Sequence, residues 1–226
     1  MRNPLELMKG AIAHFMISPK LFLGIIAVPL IIDLLLFLFQ PSKGTGVINI
    51  YEWTLFGALA ITLAVFNILS GIALIVAAND QTLSVRKAYG QASGFFWRYV
   101  GFTIVLSLIL FVSFILFIIP AIIVSVWVAF AAFVLVLENA RIMESMKRSR
   151  EYVRGRWWAV FGRSVFIMFV AVVVMAIVTS LGSLISDQKA VTDGLVSLVI
   201  ALITPFLLLY VYLMYKDIKD SPMVSK

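Results

Sequence analysis

The residues best suited to bind a charged ligand lie between positions 141 and 158, where a run of Lys and Arg side chains ends in two adjacent tryptophans. Basic clusters beside a membrane span attract anionic phospholipid headgroups, with about 1 kcal/mol for each basic residue near the surface. The same cluster can contact a membrane-protein partner, or only set the orientation of the chain. We expect lipid or partner contacts at Arg141, Lys147, Arg148, Arg150, Arg154, Arg156, Trp157 and Trp158.

A second candidate site is polar and lies within apolar sequence. Asp33 stands in the run IIDLLL, where an ionised carboxylate costs about 3 kcal/mol unless it is paired or hydrated. One interpretation is a proton or cation site on a transport path, with Asn67 nearby and with Pro29 and Pro205 bending their helices. The other is a hydrogen-bonded carboxylate near the outer end of its span, with Asn67 packing against another helix. Both interpretations stay open.

The sequence favours a protein without catalytic activity. It contains no P-loop, no nucleophile elbow and no paired carboxylates. With no cysteine and a single histidine, His14, thiolate nucleophiles, disulfides and a structural zinc site are excluded, and we expect no cofactor. Nucleic acid is not an expected partner, because the basic residues adjoin apolar segments and the aromatic residues lie at their borders.

Composition assigns the chain to a membrane. Of its 226 residues, 63% are hydrophobic and 13% are charged, which exceeds the apolar content that a soluble domain of this size can bury. Pro120 divides the longest apolar run and predicts a tight turn between two spans. Six segments have the length that a transmembrane helix needs: Leu21–Phe39, Thr54–Ala78, Tyr99–Ile119, Ala121–Leu137, Trp158–Leu181 and Leu195–Tyr215.

The distribution of positive charge predicts the orientation. Of the 18 Lys and Arg residues, all but Lys43 and Lys189 fall in segments that would lie on one side of the membrane. Positive charge is retained on the cytoplasmic side, so we expect cytoplasmic N- and C-termini in the inner membrane of a bacterium.

Short helices with one apolar face precede some of the spans. One begins at the capping residue Asn3 and another covers the basic segment after residue 141. Their spacing predicts an apolar face at Leu5, Met8, Ile12 and Phe15 in the first, and at Ile142, Met146 and Val153 in the other. The predicted fold is therefore an all-α integral membrane protein with six transmembrane helices in three hairpins, each preceded by a cytoplasmic interfacial amphipathic helix.

An internal repeat supports the three-hairpin arrangement. Shifting the chain by 61 residues aligns Gly94 with Gly155 and Trp97 with Trp158, and each glycine is expected to end a short basic helix. We predict a single membrane domain, 1–226, built from units at approximately 3–78, 79–138 and 139–220. The alternative is that any two points where a chain enters the membrane converge on glycine, tryptophan and basic residues.

The stretch FVLVLENARIMESMKRSREYVRGRWWAVFGR resembles a group of uncharacterised bacterial six-span membrane proteins related to the membrane domain of glycerophosphodiester phosphodiesterases. The matching residues include Glu138, Ser145, Ser149 and Gly155, together with IIPA at 118–121, and the resemblance covers roughly residues 79–215. It implies a six-span fold but not the phosphodiesterase activity, because this chain has no soluble catalytic domain. We expect a multi-pass lipid-binding, scaffold or accessory protein, the alternative being a small transporter or permease with a site near Asp33.

Overall fold

Helices form all the regular structure in the residues that the computed structural model describes, 2–39, 50–185 and 189–221. Lys43 and the tail beyond Ser221 lie outside these residues, and the side chain of Lys189 is likewise not described. The helices are α1 (Pro4–Ile17), α2 (Pro19–Leu38), α3 (Ile50–Asn79), α4 (Val85–Leu116), α5 (Ile118–Trp127), α6 (Ala131–Leu137), α7 (Ile142–Val153), α8 (Trp157–Ile185) and α9 (Lys189–Lys219).

The six predicted spans are confirmed as helices that are long and apolar enough to cross a membrane. They are α2, α3, α4, α5 with α6, α8 and α9. The chain is thus an all-helical protein of the multi-pass membrane type. The third and fourth spans separate at Phe117, which has an extended backbone, and Pro120 stands in the first turn of α5, where its missing N–H costs no helical hydrogen bond.

The prediction of a short interfacial helix before the second hairpin, ending at Gly94, was wrong. The segment after Ser84 does not form a separate short helix, because α4 continues through Gly94 into the third span. A glycine inside a helix costs about 1 kcal/mol relative to alanine, which is too little to end a helix of 32 residues. By contrast, Gly155 has a φ of 78°, a left-handed conformation that glycine adopts without steric cost, and α7 ends before it.

The first helix begins as predicted and packs one face against the bundle. The backbone N–H of Asn3 donates to the Glu6 carboxylate at 3.0 Å, closing the first turn. The side chains buried against the bundle are Leu7, Ala11 and Phe15, and α1 packs mainly on α9. Of the predicted apolar face, Phe15 is buried and Met8 is half-buried, whereas Leu5 and Ile12 are exposed, so its position at the lipid–water boundary stays a prediction.

The tightly packed part of the bundle lies at one end. We call the end that holds α1, α7 and the last turns of α9 the basic end. The buried residues of α2 cluster in its first half, and those of α3 are Ser70 and the run Ile72–Ala78. In α9 the run from Leu209 to Tyr215 is mostly buried. In a membrane, water does not drive helices together, so close packing and hydrogen bonds must hold this end.

Candidate functional site

A groove with a volume of about 890 Å³ lies between α5, α7 and α8 at the basic end. Helix α5 supplies an apolar floor of Ile119, Ile122 and Ile123, which extends over about 12 Å to Trp127 at 1.5 Å per residue. Helix α7 supplies a charged wall, and α8 supplies tryptophans. We call this the basic groove; its polar and aromatic lining residues are Trp127, Lys147, Arg150, Glu151, Arg154, Trp157 and Trp158.

Five of the eight predicted contact residues line the basic groove, namely Lys147, Arg150, Arg154, Trp157 and Trp158. Lys147 and Arg150 share a face of α7 because they are three residues apart, and Arg154 follows as the C-cap of that helix. The Arg150 guanidinium carbon lies 4.3 Å from the centre of the Trp127 ring, a cation–π contact. Among the described residues, Lys147 and Arg154 form no ion pair and no side-chain hydrogen bond. Their charges are therefore available to a ligand.

Arg148 turns away from the groove and joins a cluster around Glu138. Its guanidinium donates to Glu138 Oε2 at 2.9 Å and also pairs with Glu144. The other Glu138 oxygen, Oε1, accepts from the hydroxyls of Tyr152 at 2.9 Å and Tyr215 at 2.7 Å. The ammonium of Lys219 donates to the same oxygen at 3.0 Å.

These donors control the ionisation of Glu138, whose side chain is 10% exposed. Burial alone would raise the pKa of the Glu138 carboxyl, but the hydrogen bonds from Tyr215, Lys219, Arg148 and Tyr152 outweigh it and lower the pKa to about 2. Burial and the same hydrogen bond raise the pKa of the Tyr152 hydroxyl to about 12. The cluster is a fixed charge centre that joins the end of α6 to α7 and α9.

Arg156 and Arg141 also lie outside the groove. Arg156 donates to the carbonyls of Ile218 at 3.1 Å and Ser221 at 3.3 Å, which satisfies acceptors at the end of α9. Arg141 is the exposed residue that precedes α7. Of the eight predicted residues, Arg148 and Arg156 therefore hold helices together.

Arg163 belongs to a buried charge network at the basic end. Its guanidinium lies 3.3 Å from the Asp217 carboxylate, and the two side chains are 7% and 12% exposed. It also donates to the backbone carbonyl of Arg2, whose own N–H donates to Asp217 at 3.1 Å. The network ties the N-terminal helix to α8 and α9, and Asp217 is the ion-pair partner of Arg163.

Ser149 joins α7 to an interruption in the fourth span. Between α5 and α6 the helix breaks at residues 128–130. The Ser149 hydroxyl donates to the Trp127 carbonyl at 2.7 Å and accepts from the Phe130 N–H at 3.1 Å. A broken helix in a membrane needs such substitutes for its lost backbone bonds. The interruption thereby fixes both the floor and the charged wall of the groove.

Trp157 lines the groove and contains a buried polar atom. Its Nε1 is buried and has no hydrogen-bond acceptor among the described residues. Its ring stacks on Phe161 with centroids 5.0 Å apart and meets Trp158 edge-on at 4.7 Å. A buried indole N–H normally has an acceptor, so this donor is an exception within the packing of α8.

Asp33 and Asn67 line one cavity between α2, α3 and α9. Its volume is about 220 Å³, and the hydroxyls of Ser70, Ser197 and Thr204 share the lining. A larger cavity of about 760 Å³ shares Asp33 with it.

No ion pair or hydrogen bond joins Asp33 to another described side chain, and Asn67 donates to the Leu63 carbonyl of its own helix. Pro29 lines the smaller cavity, and Pro205 is buried beside it. The predicted polar residues are therefore neighbours in space.

The arrangement of helices defines an all-α multi-pass membrane protein with a basic groove at one end. The chain belongs to the family described as "Domain of unknown function (DUF7847)", which it matches over residues 51–218. That stretch contains the whole basic groove and Asn67, but not α1 or Asp33. Neither a curated protein nor a solved structure matches the chain.

Sequence reasoning found the cations of the groove but missed what surrounds them. Asp217 and the α5 floor carry no distinctive local motif, because their roles depend on which helices meet. Ser149 did leave a signal, since it lies four residues after Ser145 on the face of α7 that both serines bury. Small polar residues at that spacing indicate a helix face packed against protein rather than lipid.

Proposed function

We propose that this protein is a non-catalytic multi-pass membrane protein that binds anionic phospholipid headgroups in the basic groove, as a scaffold or accessory component. The observation that carries the proposal is the juxtaposition of three cationic side chains, Lys147, Arg150 and Arg154, with the apolar floor of α5. The cations fit a phosphate, and the floor fits acyl chains beside it. The resemblance to phosphodiesterase-associated membrane domains supports an accessory role next to another protein.

The proposal includes a position in the membrane. We place the basic end in the cytoplasm of a bacterium, with the spans arranged in hairpins and with α1 and α7 at the lipid–water boundary. Helix α1 supports this placement, because Leu5, Ile12 and Met16 form an exposed apolar strip next to its buried face. Helix α7 supports it by exposing Met143 beside its charged residues.

Neutralising the groove tests the function. The variant Lys147→Gln/Arg150→Gln/Arg154→Gln should bind vesicles containing phosphatidylglycerol at least tenfold more weakly than the parent, because about 1 kcal/mol is lost per cation. The control variant, Arg86→Gln/Lys87→Gln/Arg141→Gln, removes the same charge from exposed residues outside the groove. It should change the affinity less than threefold. Equal losses in the two variants would contradict a groove site, since they would reveal only the effect of net charge.

A small permease is the second candidate, and it is favoured by the convergence of Asp33 and Asn67 on one cavity. A transport path to Asp33 should be wet. The chain has no natural cysteine, so single cysteines placed along α2 can be labelled without background. The permease predicts that a water-soluble maleimide labels a cysteine at Leu30, which lines both cavities, faster than one at Ile32, which is also half-buried but lines neither. Equal and slow labelling, together with an unchanged phenotype of Asp33→Asn, would contradict this candidate.

A further inference from the structure

We propose that the basic groove selects a lipid whose headgroup is a phosphomonoester, as in phosphatidic acid, over lipids whose phosphate is a diester. This inference rests on the proposed lipid-binding function and specifies its ligand.

The net charge of the groove matches the charge of a phosphomonoester. Three cations and one carboxylate, Glu151, line the groove, which leaves a net charge of +2 beside an apolar floor. The four charged side chains are exposed, so the attraction between the groove and a ligand rises with the negative charge of the ligand. A phosphomonoester carries up to two negative charges and neutralises the groove. A phosphodiester such as phosphatidylglycerol carries one negative charge, and a zwitterionic lipid carries none overall.

The cationic side chains of the groove also lack acceptors that would compete with a ligand among the described residues. Arg148, Arg156 and Arg163 already have acceptors within the protein. Lys147 and Arg154 have none among the described residues, and Arg150 faces an aromatic ring rather than a carboxylate. The basic residues of this region therefore form two groups. Those that face the groove can still bind a multiply charged acceptor.

The number of unsubstituted phosphate oxygens also favours a monoester. A phosphomonoester presents three unsubstituted oxygens, and a diester presents two. Three cationic side chains line the groove, which matches the three oxygens of a monoester. Charge-assisted hydrogen bonds are roughly twice as strong as neutral ones, so the additional oxygen of the monoester contributes directly to the preference.

The second ionisation of a phosphomonoester makes the expected preference depend on pH. The second pKa of a phosphate monoester is about 6, and neighbouring cations favour the doubly charged form. The groove should therefore hold the dianion at neutral pH. Lowering the pH toward 5 protonates the monoester and leaves the diester unchanged, so the preference should be pH-dependent.

The experiment compares lipids with identical acyl chains in binding to the purified full chain in detergent, read by native mass spectrometry and tryptophan fluorescence. At pH 7.5, phosphatidic acid should bind at least tenfold more tightly than phosphatidylglycerol, and the ratio should fall below threefold at pH 5. Glycerol 3-phosphate, which has the headgroup without acyl chains, should not displace the lipid at hundredfold excess. The groove variant Lys147→Gln/Arg150→Gln/Arg154→Gln should lose the preference, whereas Arg86→Gln/Lys87→Gln/Arg141→Gln should keep it.

The possible outcomes distinguish the preference for a monoester from the lipid-binding function itself. Equal binding of both lipids, weakened in the groove variant, would overturn the monoester preference and leave the lipid-binding function intact. Binding that the groove variant does not weaken would overturn both. Displacement by glycerol 3-phosphate would overturn the assignment to a lipid and indicate a soluble phosphomonoester instead.

Discussion

At the scale of single residues, the cations between positions 141 and 163 have two kinds of surroundings. Among the described residues, Lys147, Arg150 and Arg154 have no carboxylate or carbonyl acceptor, whereas Arg148, Arg156 and Arg163 bind carboxylates or the carbonyls that end α9. Sequence composition could not separate them, because each is an arginine or lysine near a membrane boundary. The separation depends on acceptors such as Asp217, which are distant in the chain.

Glu138→Gln should destabilise the protein by about 1–3 kcal/mol near neutral pH. The carboxyl pKa falls from 4.5 to about 2 on folding, so its contribution is complete above pH 4.5 and is lost as the pH falls toward 2. Thermal unfolding of the detergent-solubilised parent should therefore show a decrease in stability over that range, and Glu138→Gln should flatten it. Glu144→Gln is the control, since it removes a 44% exposed partner of the same arginine. A decrease of equal size in both variants would contradict the role of Glu138.

Arg163→Leu should cost about 3 kcal/mol, because it leaves the Asp217 carboxylate buried without its guanidinium. The double variant Arg163→Leu/Asp217→Leu should recover much of this loss, since it removes both charges. Denaturant unfolding in detergent measures both values. The exposed Arg141→Leu should change the stability by less than about 0.5 kcal/mol, as is usual for surface substitutions. If Arg163→Leu were equally mild, the ion pair would not contribute to stability.

At the scale of helices, α7 connects the floor of the groove to its charged wall. Ser149 enters the interruption of the fourth span, while Ser145 donates only to the Ile142 carbonyl of its own helix. The two serines are equally buried, so they form a matched pair.

Ser149→Ala should cost about 1–3 kcal/mol, because the Phe130 N–H loses its acceptor inside the bundle. Hydrogen exchange should accelerate at Phe130, as measured by mass spectrometry of the detergent-solubilised protein. Ser145→Ala should leave exchange at Phe130 unchanged and cost under about 0.5 kcal/mol. Similar effects from both substitutions would indicate general loosening of α7 instead.

Gly94 and Gly155 should respond oppositely to the same substitution. Neither has an atom within 4 Å of an added Cβ, so only backbone conformation matters. Gly155→Ala should destabilise by about 1 kcal/mol, because φ is positive there. Gly94→Ala should stabilise by up to about 1 kcal/mol, because Gly94 is inside α4. Thermal unfolding measures both, and equal signs would contradict the difference in helix ends.

The helices were predicted well wherever apolar length decides, and poorly where tertiary contacts decide. All six spans were found, because crossing a membrane requires a long apolar helix. The continuous α4 was missed, since Gly94 and Gly155 occupy equivalent positions in the sequence but only one of them adopts a left-handed conformation. The proposed repeat units stay a prediction for the same reason.

At the scale of the whole molecule, the two ends of the bundle differ in chemistry. The basic end holds the buried ion pairs and the groove, and the opposite end exposes apolar side chains such as Leu184. The asymmetry was readable from the sequence, because topology depends on the position of Lys and Arg rather than on their contacts.

A pair of introduced cysteines should establish the orientation. Met143 on α7 and Leu184 near the end of α8 are both exposed and lie toward opposite ends of the bundle. In intact bacterial cells, an impermeant maleimide should label Leu184→Cys, and it should label Met143→Cys only after permeabilisation. The reverse pattern would place the basic end outside the cytoplasm and contradict the proposed orientation.

The serine in the interrupted span also constrains the order in which the molecule can be made. Residues 128–130 leave the ribosome before Ser149 does, because the chain grows from its N-terminus and Ser149 follows Phe130 by 19 residues. Until then the Phe130 N–H lacks the acceptor that it has in the finished protein. The fourth span therefore reaches its final form only after α7 has emerged, so the groove is completed during synthesis by the segment that supplies its charges.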